Sequence, residues 1–214
     1  MKLENIGKKY GNNIIFSNLN LEIKEGKITV ILGKSGVGKT TLLEIIAGFI
    51  KDYDGKINFE SKNHKISYIF QNDVLIPWKT VYQNIEYVLK KESYEYTMKY
   101  LKFVGLDKFS KYYPKDLSGG MKRRVGIARA FAYSSQYLIM DEPFQFLDIK
   151  TKPEILKDFK KLQEIEKRTV IFVSHDIDTA LKIGDYIVIM DRELEVFQNK
   201  RDTETRAKIE DFFR

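Results

Sequence analysis

Apolar and polar positions change rhythm twice along the chain. In the first sixty residues they alternate around turns, at Ile14 to Phe16, at Leu19, Leu21 and Ile23, and at Ile57 to Phe59. An apolar residue at every second position predicts half-buried strands of an antiparallel layer. Three other runs, ITVILG from Ile28, YLIMD from Tyr137 and TVIFVSH from Thr169, are short and apolar on both faces. Strands of that kind belong in the centre of a parallel sheet covered by helices on both sides, and IVIM at 187–190 predicts a fourth.

Between Thr80 and Ala132 the spacing lengthens to three and four residues, in TVYQNIEYVLKK and YEYTMKYLKFVGL, and no apolar strand interrupts. The pattern predicts an α/β fold: a core of residues 1–70 and 136–214, with a helical subdomain inserted at about residues 72–135. Pro77 and Pro114 fall near its margins, where proline tolerates a chain reversal. DTETRAKIEDFFR predicts a terminal helix, and nothing is left for a second domain.

Composition narrows the class. The 214 residues, 43% hydrophobic, suffice to bury a core, and the absence of cysteine excludes disulfides and thiolate metal sites. No apolar run approaches the roughly 18 to 20 residues that cross a bilayer, and MKLENIGKKYGNN lacks the apolar stretch of a secretory signal. A formal charge of +7 is compatible with nucleic acid or an anionic membrane. The lysines are nevertheless scattered among 30 acids, which reads as solvated surface, and no nucleic-acid partner is expected.

The first chemical signal is GKSGVGKT, which places Gly33, Gly38, Lys39 and Thr40 in the phosphate-loop spacing. Its context carries as much information as its letters, because an apolar strand precedes it and the amphipathic TLLEIIAGF comes directly after. Glycines let backbone N–H groups turn toward one point, and the helix N-terminus adds partial positive charge. Lys39 reaches terminal phosphates, and the Thr40 hydroxyl is a candidate Mg²⁺ ligand. The candidate nucleotide-binding set runs through Gly33, Lys34, Ser35, Gly36, Val37, Gly38, Lys39, Thr40 and Thr41, with ATP and Mg²⁺ as the expected ligands.

YLIMDEP delivers Asp141 and Glu142 to the carboxyl end of a buried strand, where open α/β sheets bind ligands. Acids at that place also cap helices, so a structural role stands beside the chemical one. Neighbouring residues of an extended strand face opposite ways, so both acids serve one site only if the chain bends. Pro143 favours that by biasing Glu142 away from helical geometry. Asp141 is assigned to Mg²⁺ and Glu142 to orienting and deprotonating the attacking water. TVIFVS ends in His175, placed to hydrogen-bond a γ-phosphate oxygen as charge develops. His64, in the polar turn SKNHK, carries no such role.

Together these pieces resemble the ATP-binding cassette (ABC) ATPases nearly from end to end. Gly33 to Thr40 matches the family's Walker A motif, Tyr137 to Glu142 its Walker B motif and His175 its switch histidine. Leu117, Ser118, Gly119 and Gly120 match the LSGG signature, Gln71 the Q-loop glutamine, Asp148 the D-loop aspartate, and Tyr10 the adenine-stacking aromatic. The resemblance implies that Gln71 touches Mg²⁺ and the attacking water. It also implies a head-to-tail dimer, of identical or paralogous subunits, in which Ser118 and Gly120 contact the γ-phosphate held by Lys39 of the other subunit. The expected partners are integral-membrane permease subunits and an extracytoplasmic solute-binding protein, with the ATPase peripheral on the cytoplasmic face of the membrane.

VLIPWKTVYQNI and LSGGMKRRV resemble segments of the nitrate, sulfonate and taurine importer ATPases, which implies import of a small anion. An exporter or lipoprotein-release motor and a soluble, non-transport ABC ATPase are the alternatives. Five residues depart from the family's pattern: Ile76 for leucine, Gln145 and Phe146 where small D-loop residues are common, Asp178 in a scaffold position where glutamate is frequent, and Arg123 for a frequent glutamine. None is expected to touch a catalytic residue. With so few residues after the core, a carboxy-terminal regulatory domain like that of some sugar-importer ATPases is not expected.

Overall fold

Three strands that are buried along their whole length set the architecture: β3 (Ile28–Leu32), β6 (Tyr137–Asp141) and β7 (Thr169–Ser174). The computed structural model describes residues 1–72, 74–89, 93–145, 147, 149–191, 194–197 and 203–213. With β5 (Ile66–Ile69), β8 (Tyr186–Met190) and β9 (Leu194–Phe197) they form one sheet in the order β5-β6-β7-β3-β8-β9. Five strands run parallel, and β9 pairs antiparallel with β8. Alternate residues of each central strand feed separate cores, so that Val30 and Phe172 face one side while Ile31 and Ile171 face the other.

The second side is covered by α1 (Lys39–Ile46) and by an antiparallel layer of β1 (Lys2–Tyr10), β2 (Asn13–Glu22) and β4 (Asp54–Asn58). The two patterns read at residues 14–16 and 19–23 belong to the single strand β2, which ends one residue before Ile23. Its partner β1, for which the sequence pattern gives no strand, carries register shifts between Leu3 and Ile6 and again before Lys8, with Asn5 in left-handed backbone at φ 53°.

Between β5 and β6 the described chain is helical: α2 (Val81–Glu86), α3 (Tyr94–Phe103), two short 3₁₀ turns and α4 (Gly119–Ala132). Pro114 opens the second of those turns rather than a margin of the insert, since its fixed φ suits a first helical position. The first core also packs α5 (Lys152–Glu166), α6 (Ile177–Ile183) and the terminal α7 (Thr203–Phe212). Among the described residues no helix is long and apolar enough to cross a membrane.

The C-terminal end of α4 is fastened to the sheet by Arg168, which is buried immediately before β7. Its guanidinium donates to the carbonyls of Ala130 at 3.1 Å and Tyr133 at 2.7 Å, to the carbonyl of Phe131, and to the Ser135 hydroxyl at 3.1 Å. A cation at the carboxyl end of a helix satisfies orphan carbonyls and the macrodipole together. Arg168→Met leaves those buried acceptors without their donor and is expected to lower stability by roughly 3 kcal/mol. Urea unfolding checks this, with a lower midpoint and an unchanged slope as the expected result.

Candidate functional site

Parallel pairing brings the candidate residues to one edge. Leu32 of β3 lies beside Ser174 of β7, Asp141 of β6 beside Val173 of β7, and Ile69 of β5 beside Met140 of β6. The residues that leave those strands are therefore the phosphate loop, Glu142, His175 and Gln71. They surround a cavity of about 450 Å³. Ser35, Gly36 and Gly38 line it from the loop, and Lys39, Thr40 and Thr41 line it from the first turn of α1. Gln71, Asp141, Glu142 and His175 close the other side.

The loop has the geometry of an anion cradle. Gly38 is the residue before α1 at φ 99°, no side chain caps that helix, and its first turn contains no acid. Its leading N–H groups are thus left to a ligand, in the positive end of the helix field. A Cβ at Gly38 would come within 2.5 Å of Ile15 Cγ2, and one at Gly33 within 2.5 Å of the Met190 carbonyl, so neither position admits a side chain. Lys39 Nζ donates to the carbonyls of Gly33 at 2.8 Å and Lys34 at 3.0 Å. Burial lowers the Lys39 pKa, and the nearby Glu142 and Asp141 carboxylates oppose that shift.

Thr40 Oγ1 donates to Asp141 Oδ2 at 3.0 Å. Burial raises the Asp141 pKa against that hydrogen bond, and the neighbouring Glu142 raises it further. With the Gln71 carboxamide these groups offer oxygen donors only, a set that fits a hard cation such as Mg²⁺. Gln71 Nε2 donates to Gln145 Oε1 at 2.7 Å, which occupies one of the amide's two N–H donors and leaves its oxygen as the acceptor for a metal or water.

Glu142 turns toward the same cavity because its backbone is left-handed, at φ 43°. The proline bias predicts an extended residue there; the observed bend is sharper and delivers both acids to one side. Glu142 is 8% exposed, and its Oε1 lies 3.0 Å from His175 Nδ1. The neighbouring Asp176 steadies His175 from the carboxyl side, since it caps α6 by accepting from the Thr179 N–H at 3.0 Å and also pairs with Lys152. Although burial works against it, Lys152 and Thr179 hold the Asp176 carboxyl below its usual range.

Other expected residues lie elsewhere. Tyr10 ends β1, half exposed, with Lys8 Nζ 4.7 Å from its ring, and Ile15 rather than Tyr10 lines the cavity. Ser118 precedes α4 and its Oγ accepts from the Met121 N–H at 3.3 Å, while Leu117 is buried behind it. Leu117 to Gly120 do not line the cavity. Asp148 lies outside the described residues.

The sequence pattern sets Arg123 apart from the catalytic residues, and the fold does not. It is 4% exposed and donates to the carbonyls of Phe70, Glu142 and Pro143. Its partners are 53, 19 and 20 residues away in the chain, so no local pattern could have revealed them.

Comparison with known proteins agrees with this geometry. The ABC transporter family model matches residues 16–145, more than half of the chain. An uncharacterised ABC transporter ATP-binding protein of Methanocaldococcus jannaschii is 38% identical over 89% of this chain and 77% of its own length. An aliphatic sulfonates import ATP-binding protein of Bacillus cereus is 39% identical over 86% of this chain and 76% of its own. An Fe(3+) ions import ATP-binding protein of Fusobacterium nucleatum is 38% identical over 94% of this chain, which spans only 58% of that longer relative. A dimeric ATP-binding cassette in a post-hydrolysis state with ADP and Pi superimposes with a TM-score of 0.78 at 32% identity, covering 92% of this chain and 97% of that one. With phosphate loop, paired acids and histidine gathered at one sheet edge, the chain belongs to the ABC transporter family and is an ATPase of its ATP-binding cassette type.

Proposed function

We propose that the chain is the ATP-hydrolysing subunit of an ABC importer, working as a head-to-tail dimer on separate permease subunits at the cytoplasmic face of the membrane. One observation carries this reading: the cavity gathers Lys39, Asp141, Glu142 and His175, yet the signature residues Leu117 to Gly120 of the same chain stay outside it. A second subunit supplies them. The loop N–H groups and Lys39 bind the phosphates, and Thr40, Asp141 and Gln71 are the residues that would hold Mg²⁺. Mg²⁺, when bound, neutralises charge on the phosphates. Glu142 takes a proton from the attacking water, Gln71 orients that water through its carboxamide oxygen, and His175 holds the Glu142 carboxylate in place. Tyr10 stacks on the base once nucleotide enters, and Asp148 belongs to the dimer contact.

The insert of residues 72–135 carries the docking surface for the permease subunits. Asn84 is fully buried; its amide donates to the carbonyls of Ile76, Lys79 and Thr80 and its oxygen accepts from the Ile76 N–H. That knot holds the loop of residues 76–80 so that Trp78 stands 76% exposed. A cleft of about 270 Å³ lined by Phe70, Val74, Val88 and Arg129 is suited to an apolar permease segment. Relatives carry names for iron, spermidine and putrescine, sulfate and aliphatic sulfonates. The resemblance of the segment from Val74 to Asn84 to that of nitrate, sulfonate and taurine importer ATPases favours a small anion of that kind, delivered by an extracytoplasmic binding protein.

Co-purification with permease subunits, followed by chemical identification of the solute their binding protein retains, tests import. Recovery with nucleic acid and no membrane partner would refute it. Glu142→Gln is expected to slow hydrolysis by about 10²- to 10⁴-fold while Mg-ATP holds the protein dimeric in light scattering. Wild-type turnover or a monomer in saturating Mg-ATP contradicts the assignment. Ser118→Arg removes a helix cap, at about 1 kcal/mol, and places a bulky cation at the dimer contact. Its expected result is loss of ATP-driven dimerisation with nucleotide affinity of the monomer within about 3-fold of wild type, because the loop that binds is untouched. Equal loss of both would refute a site shared between subunits.

A further inference from the structure

Arg123 sits on the helix that Ser118 opens, yet its side chain leaves that helix and enters the two turns at the edge of the sheet. Nη2 donates to the Glu142 carbonyl at 2.9 Å, Nε donates to the Pro143 carbonyl, and Nη1 donates to the Phe70 carbonyl at 2.9 Å. Phe70 immediately precedes Gln71. One rigid fork of donors therefore ties α4 to the bend at Glu142 and to the root of Gln71, a geometry that lysine's single ammonium head cannot reproduce.

The bend needs such a tie. A non-glycine residue in left-handed backbone is strained and persists only where its surroundings over-determine it. Glu142 is in that region at φ 43°, directly before a proline. Its carbonyl is held from two directions, by the Gln145 N–H at 3.1 Å and by Arg123. Release of the carbonyl lets the peptide rotate, and rotation carries the carboxylate away from His175.

We propose that Arg123 is a positioning residue for hydrolysis: it locks the left-handed turn at Glu142 so that the carboxylate faces His175 and the nucleotide cavity. The inference rests on the reading of Glu142 as the general base. It differs from a merely structural role in what it moves, since a core cation contributes to stability without fixing where one carboxylate points.

The chain has two histidines, which makes the test direct. His64 stacks on Phe59 with ring centroids 3.6 Å apart, whereas His175 meets Glu142. Imidazole NMR signals are compared in the nucleotide-free full chain for wild type, Glu142→Gln, Arg123→Met and Arg123→Lys. The lysine variant keeps the buried charge should the methionine variant fail to fold. Both Arg123 variants are expected to displace the His175 signals in the direction that Glu142→Gln does, with His64 unmoved. Alongside, kcat is expected to fall about 100-fold, the penalty of a slightly misplaced catalytic group, while ATP affinity stays within about 3-fold. Folded Arg123 variants with wild-type His175 signals, or with wild-type kcat, overturn the proposal. Wild-type kcat in Glu142→Gln instead overturns the reading of Glu142 itself, and this inference with it.

Discussion

Parallel pairing of β3 with β7 and of β7 with β6 is the constraint on which the site depends. In a parallel sheet every strand ends on the same edge, so a phosphate loop, two acids and a histidine far apart in sequence emerge at one level. No side chain has to reach far. Leu32 beside Ser174 and Asp141 beside Val173 fix the heights of Gly33, His175 and Glu142 to within about a residue. That register depends in turn on strands buried on both faces, because a slip of one residue would send each strand's apolar set into the opposite core. Packing and chemistry are therefore set by one choice.

The same edge concentrates charge in a low-dielectric place. Lys39 and Asp141 are both pushed by burial toward their neutral forms, and each is partly restored by groups across the cavity. An ion pair is not the resolution, since Lys39 instead folds onto the carbonyls of Gly33 and Lys34 while Asp141 accepts from Thr40. On the proposed assignments, the site thus keeps its cation for a phosphate and its anion for a metal. Each group is held in a hydrogen bond that a ligand can replace in kind.

The central sheet was legible because β3, β6 and β7 are buried on both faces, and their uninterrupted apolar runs say so. β1 was not, because its register shifts and the left-handed Asn5 break the two-residue rhythm between Leu3 and Ile6. β5 escaped for a different reason: ISYI is a four-residue edge strand, too short to show a period. In the site, spacing revealed the phosphate loop and the acids, since their geometry is local. The roles of Gln145 and Arg123 were hidden because each acts on a residue brought near only by the fold.

Those two hidden contacts bear on how a site divided between subunits, as proposed, would stay idle until it is whole. The signature helix α4 is fastened at its far end by Arg168 and near its start by Arg123, so the helix is connected both to the sheet and to the bend that aims Glu142. A phosphate held by one subunit and touched by the partner's Ser118 would pull on the start of the partner's α4. Arg123 links that helix to the same subunit's Glu142 by way of a single backbone carbonyl. On the proposed assignments, completion of one nucleotide site would therefore be felt at the general base of the other. Such coupling needs an element with two arrangements that both sites bias. The strained left-handed turn beside Pro143, held by donors from two directions, is the place where such an element would have to lie.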